Sequence, residues 1–205
     1  MTVHPLLPVL VAAAAGEFPP ADGEVVVLPP LPDGWAAVVS LTGRVYLTAE
    51  RTPAGLDGYG GALRPEVLRQ LAGPAGEVGT LDVTLTAPGL GGGSLPERTD
   101  LDGHPRVRYA RALRRDVRVH GDERGLVTLA TGLAGRREVS VELTGPGERG
   151  VGRGLIGDAL RLVPAGEPVF AAVAPGNARS LRAFLAAGFQ PLGSEVILRP
   201  AGSAR

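Results

Sequence analysis

The sequence contains neither cysteine nor lysine. Without cysteine there is no disulfide, no thiolate zinc site and no cysteine nucleophile. Without lysine there is no Schiff-base amine, no lysine general base and no Walker phosphate loop closing on Gly-Lys-Ser/Thr. All 21 basic residues are arginine, and histidine occurs only at His4, His104 and His120, so a polyhistidine metal centre is not expected. Aromatic residues make up 4% of the chain. The pairs Arg114-Arg115 and Arg136-Arg137 therefore lack the interleaved aromatic platform that single-stranded nucleic acid stacks on, and acid-paired, solvated faces are expected instead. No apolar run approaches the ~20 residues of a membrane span. Residues 6–15 have the length of a signal h-region, but only His4 stands where a basic n-region is required. A short buried amphipathic helix is expected there, in a cytoplasmic protein without a membrane partner.

What is present suits a globular chain of 205 residues, 44% hydrophobic and 20% charged, forming one large domain or two small ones. Its 31 glycines and 19 prolines punctuate apolar runs at no fixed period, which reads as turns and loops rather than collagen or disorder. Charge divides unevenly. Residues 1–100 hold 5 Arg against 11 acids, a balance of −6, and residues 101–205 hold 16 Arg against 10, a balance of +6. The basic half can attract a polyphosphate or nucleic acid, or dock on the acidic half of its own chain.

In the N-terminal half, residues 24–28 read as a strand, 35–49 as a hairpin turning near Thr42-Gly43, 65–72 as a short helix and 80–86 as a half-buried strand. Residues 89–103 read as a long loop, suited to a boundary or a lid. The C-terminal half is more regular. A helix is expected over 106–113, paired strands over 117–120 and 126–133, and a strand over 138–143. A glycine loop over 145–154 then opens a helix over 155–162 with Leu155, Ile156, Ala159 and Leu160 inward. The strand 169–173, a helix capped by Asn177 and ended by Gly188, and a strand over 194–198 complete an α/β arrangement.

In the loop Arg149-Gly150-Val151-Gly152-Arg153-Gly154, glycines allow close backbone approach, and the amides at the helix start suit a phosphate, with two arginines beside them. A plain strand-to-helix turn is the alternative. The string Gly152-x-Gly154-x-x-Gly157 has the dinucleotide spacing, but the next strand ends Val173-Ala174-Pro175 without the ribose-binding acid. Residues Asp100, Asp102 and His104 lack the further oxygen ligands of a calcium loop, and a turn is expected.

The glycine loop, one further strand, and then Asn177, Ser180, Phe184 and Gly188-Phe189 in order resemble the GNAT superfamily of acyl-CoA N-acyltransferases, over about residues 106–200. The resemblance implies a GNAT-like mixed sheet with a central parallel strand pair splayed around the cofactor. Residues 105–205 would be the acyl-CoA-binding region. Residues 1–104 would be an α/β half of unassigned topology that shapes the acceptor pocket or is a degenerate second copy.

By the same resemblance, Arg149, Gly150, Val151, Gly152, Arg153 and Gly154 would hold the pyrophosphate of acetyl-CoA or another acyl-CoA. Main chain near Val141 and Leu143 would meet the pantetheine arm, which Asn177, Ser180 and Phe184 would also approach. The implied reaction is direct attack of a small-molecule or peptide amine on the thioester, with no metal; a homodimer is compatible with it. A catalytically degenerate CoA-binding or protein-interaction module is the alternative. Where the family often has an acidic Tyr, this chain has Phe184, which cannot protonate the departing thiolate. Glu138 is the favoured base and Glu142 the second candidate. Tyr109 and His120 are in reserve, and Ser140 reads as an ordinary strand serine.

Overall fold

The structure is a computed structural model that describes residues 3–53, 55–145 and 150–202. The chain is α/β, with ten strands and five α-helices among the described residues and strand pairing that is mixed and largely antiparallel. It divides into two compact units, residues 1–84 with 192–205, and residues 85–191. The division at 104/105 read from sequence falls inside the second unit. No helix among the described residues is long and apolar enough to cross a membrane.

The first unit contains α1 (Leu6–Ala14), β1 (Val25–Leu28), β2 (Ala36–Leu41), β3 (Arg44–Thr48), α2 (Pro65–Ala72), β4 (Glu77–Val78), the start of β5 (Asp82–Pro88) and most of β10 (Gln190–Arg199). α1 buries Leu6, Leu10 and Ala13, which share one face at helical spacing. β2 and β3 form the expected hairpin, and Thr42 and Gly43 at its tip both have positive φ, at 52° and 81°. That is the backbone whose twist suits a two-residue connection. β1 joins β3 in parallel, while β10 pairs antiparallel with β2 and with β4. Leu68 and Ala72 of α2 close the core over Val38, Leu47, Val196 and Leu198.

The second unit holds the end of β5, then α3 (Pro105–Leu113), β6 (Arg115–Asp122), β7 (Gly125–Thr131), β8 (Arg137–Leu143), α4 (Val151–Arg161), β9 (Pro168–Val173) and α5 (Ala178–Ala186). Its strands run in the order β9-β8-β7-β6. β6, β7 and β8 are an antiparallel meander, and β9 is parallel to β8. Val107 of α3 packs with Val119 and Leu126 beneath the hairpin.

The stretch 89–103, expected as a long loop, is laced to its own unit by backbone hydrogen bonds. Leu90 N–H donates to Leu160 O at 2.9 Å, Gly93 N–H to Arg161 O at 2.9 Å and Arg98 N–H to Val119 O at 2.8 Å. At Gly93 a side chain would meet the Arg161 backbone within 2.7 Å, so glycine is what lets the chain lie against the end of α4.

Candidate functional site

β8 has two unlike edges. Toward β7 it is paired along its whole length, from Thr131↔Arg137 to Gly125↔Leu143. Toward β9 the register consists of one pair, Glu138↔Phe170. Beyond that point a cavity of about 1040 Å³ is lined by Val141, Glu142 and Leu143 of β8 together with residues of α3, α4 and α5.

α4 contributes Gly150, Gly152, Arg153 and Ile156 to this wall. Its N-cap is Gly150, in a left-handed conformation at φ 95°, which has no side chain to cap the first turn, and no acidic residue stands in that turn. The first-turn amides of a helix have no intrahelical acceptor and carry the positive end of the helix dipole. The burial of Leu155, Ile156, Ala159 and Leu160 fixes the rotation of α4. Arg124, in the β6–β7 turn, donates to Asp158 at 2.7 Å and to Asp122 at 2.6 Å, tying the helix to that turn. Hydrogen bonding from Arg124 holds the Asp122 carboxyl below its ordinary range, with backbone donation adding to it against the cost of burial.

α5 is capped as the sequence indicates, with Asn177 Oδ1 accepting from Ser180 N–H at 3.1 Å. Its other end is a Schellman motif: Gly188 has φ 98°, Phe189 N–H donates to Phe184 O at 3.1 Å and Gly188 N–H to Leu185 O at 3.1 Å. The Phe184 and Phe189 rings meet edge to face at 4.9 Å between centroids. This fixes which face of α5 lines the cavity. Arg179, Arg182, Ala183 and Ala186 lie on it at helical spacing, with Asn177 and Ser180 at its head.

From α3 comes Arg106, whose Nε donates to Glu142 Oε2 at 3.0 Å with both side chains partly exposed. Among the described residues, four arginines (Arg106, Arg153, Arg179 and Arg182) thus line the cavity with one carboxylate, Glu142, a local balance of +3. Arg106 is the one of the four that an acid engages among the described residues.

The structure brings together most of the residues singled out from sequence. Val141, Leu143, Gly150, Gly152, Arg153, Asn177, Ser180, Phe184 and Glu142 all line this cavity. Val151 and Gly154 stand in the first turn of α4 but off the wall, and Arg149 lies outside the described residues. Arg106, Arg179 and Arg182 line it without having been assigned a role from sequence. The two on α5 were detectable from their spacing along the expected helix; Arg106 is brought to Glu142 only by the fold.

Glu138, the favoured base, is elsewhere. It is 3% exposed and is held by Arg136 Nε at 2.8 Å, Leu133 N–H at 3.0 Å and Arg114 Nε. Burial pushes its pKa up, but Arg136 and Arg114 outweigh that and bring it down to about 2. A carboxylate so stabilised is a weak proton acceptor, and off the cavity wall it has no access to a substrate amine. Arg136 also lies 5.2 Å from the Phe170 ring centroid, making this cluster a fixed peg beside the single β8–β9 register pair.

The reserve candidates are off the cavity wall as well. His120 is buried, with Nδ1 3.1 Å from Leu95 O; Ser140 shares a hydrogen bond with Thr128 at 2.7 Å; Tyr109 is 56% exposed and off the cavity wall. Asp100 and Asp102 are engaged by Arg98 and Arg111, each at 2.7 Å, and His104 Nδ1 accepts from Arg106 N–H at the start of α3. Arg137 pairs with Glu167 at 2.9 Å.

No protein-family model and no curated protein matches the chain. Among solved structures, the chain is similar to a functionally unknown conserved protein from Staphylococcus epidermidis ATCC 12228, at 12% identity and a TM-score of 0.39, over 66% of this chain and 67% of that one.

Proposed function

We propose that residues 85–191 bind an acyl-CoA in the manner of the GNAT superfamily and that the chain transfers the acyl group to an amine. One observation carries the reading. The two sequence motifs, some 25 residues apart along the chain, converge on a cavity lined by α4, α5 and the end of β8, past its one register pair with β9. A volume of about 1040 Å³, a helix start whose N-cap is a glycine and a balance of +3 among the described residues fit a long ligand with a polyphosphate end.

In this reading the amides of α4 and Arg153 hold the diphosphate, and the β8 edge at Val141–Leu143 holds the pantetheine arm. β8 main-chain amides polarise the thioester carbonyl. The acceptor nitrogen attacks that carbon, so a C–N bond forms and the C–S bond breaks. Glu142, the one carboxylate on the wall among the described residues, takes the ammonium proton. Phe184 has no proton to give, so the thiolate leaves as the anion and is protonated by water.

Calorimetric titration with acetyl-CoA, CoA and NADH, followed by an amine screen for thiol release, tests this. Expected are micromolar binding of both CoA species but not NADH, and release that falls about 100-fold in Glu142→Gln without loss of CoA affinity. Binding with no release for any amine would leave the alternative of a CoA-binding module. No binding of either CoA species would overturn the proposal.

A further inference from the structure

Most arginines of residues 85–191 are answered by a carboxylate. Arg98 pairs with Asp100, Arg111 with Asp102, Arg118 with Glu97, Arg124 with Asp122 and Asp158, and Arg161 with Asp158. Arg179 and Arg182 are not. Neither has an ion-pair partner among the described residues, both are exposed, and both line the large cavity. Three residues apart on α5, they face the same way, an arrangement in which like charges repel. Arg179 also occupies the first turn, where the helix dipole opposes a cation. Along the same wall stand Ala183 and Ala186, whose side chains are single methyl groups.

Two cations with no acid partner among the described residues, held on a cavity wall, are complementary to an anion that arrives with the ligand. A guanidinium presents paired N–H donors that match phosphate oxygens. The α4 amides and Arg153 already provide for one phosphate-bearing group on a different helix.

We infer that Arg179 and Arg182 form a second phosphate subsite, on the helix beside the start of α4, and that the ligand carries a second phosphate group besides the one held there. Resting on the acyl-CoA reading, this specifies a free CoA thioester with its 3′-phosphate. It disfavours an acyl group carried on protein-bound phosphopantetheine, which offers a single phosphate.

The test is calorimetric titration of the full chain, and of a chain with both Arg179→Gln and Arg182→Gln, with CoA and with 3′-dephospho-CoA. Both substitutions are at exposed helix positions, and equal thermal midpoints establish that the variant is folded. The natural chain is expected to bind CoA at least tenfold more tightly than dephospho-CoA. In the variant the two affinities should agree within about twofold, at the level of dephospho-CoA on the natural chain. Equal affinity of the natural chain for both ligands overturns the second subsite and leaves the acyl-CoA reading standing. So does a preference for CoA that survives in the variant, since the 3′-phosphate would then be read elsewhere. If the natural chain binds neither ligand, the acyl-CoA reading itself fails and the subsite with it.

Discussion

At the scale of single residues, the two glutamates of β8 differ in surroundings more than in sequence. They lie four positions apart on one face of the strand, yet Glu138 is enclosed by Arg114 and Arg136 while Glu142 lies open on the cavity wall with one arginine. Replacing Glu138 with Gln leaves two guanidiniums around a neutral amide, and the variant should lose about 3 kcal/mol of stability. The pH dependence has a definite sign. The folded-state pKa is near 2 against an ordinary 4.5, so the carboxylate's stabilisation is complete above that ordinary value and fades as pH falls toward 2. Acid unfolding followed by circular dichroism should show this loss in the natural chain, and a shallower acid limb in Glu138→Gln. Parallel acid limbs would mean that the clamp does not set acid stability.

At the scale of elements, what could be read from sequence was what is decided locally. The hairpin tip at Thr42-Gly43, the Asn177 cap and the Gly188-Phe189 stop each depend on a few adjacent residues, and each formed where expected. The inward stripe of α4 was equally legible, because side chains spaced at the helical period share a face. The Arg114–Glu138 and Arg106–Glu142 pairs were not legible, since 24 and 36 residues separate the partners and only the tertiary packing of α3 brings them together. Nor was the tethering of residues 89–103, which uses backbone groups that carry no sequence signature.

One further contrast between elements is testable. Gly188 has a left-handed φ of 98°, so Gly188→Ala should cost about 1 kcal/mol at the end of α5. Gly152 sits within α4, and an added methyl would meet Ala183 Cβ and Leu143 Cδ1 at an ordinary 3.6 Å. Gly152→Ala should therefore fold as well as the natural chain, or gain up to about 1 kcal/mol. The same methyl narrows the cavity between α4, α5 and β8, so CoA affinity should fall at least fivefold while the thermal midpoint holds or rises. Unchanged affinity would place the ligand away from the start of α4.

At the scale of the whole molecule, a net charge of zero conceals a local field. Residues 85–191 contain 15 Arg against 11 acids, a balance of +4, and the described residues of the cavity wall sum to +3. Most of the remaining arginines are in ion pairs and project little field beyond a Debye length of about 8–10 Å at physiological salt. The electrostatics of this unit are thus those of one concave site, whereas a general basic surface would spread its charge over the exterior. The two arrangements respond differently to salt and to ligand shape. CoA, whose phosphates enter the site, should lose about tenfold in affinity between 50 and 500 mM NaCl. Pantetheine, which lacks phosphate, should show almost no salt dependence. Duplex DNA cannot enter a cleft of this kind and should not bind measurably at 150 mM salt. Were DNA instead bound with a steep salt dependence and CoA with none, the arginines would be serving an exterior polyanion, and the cavity would not be what their charge is for.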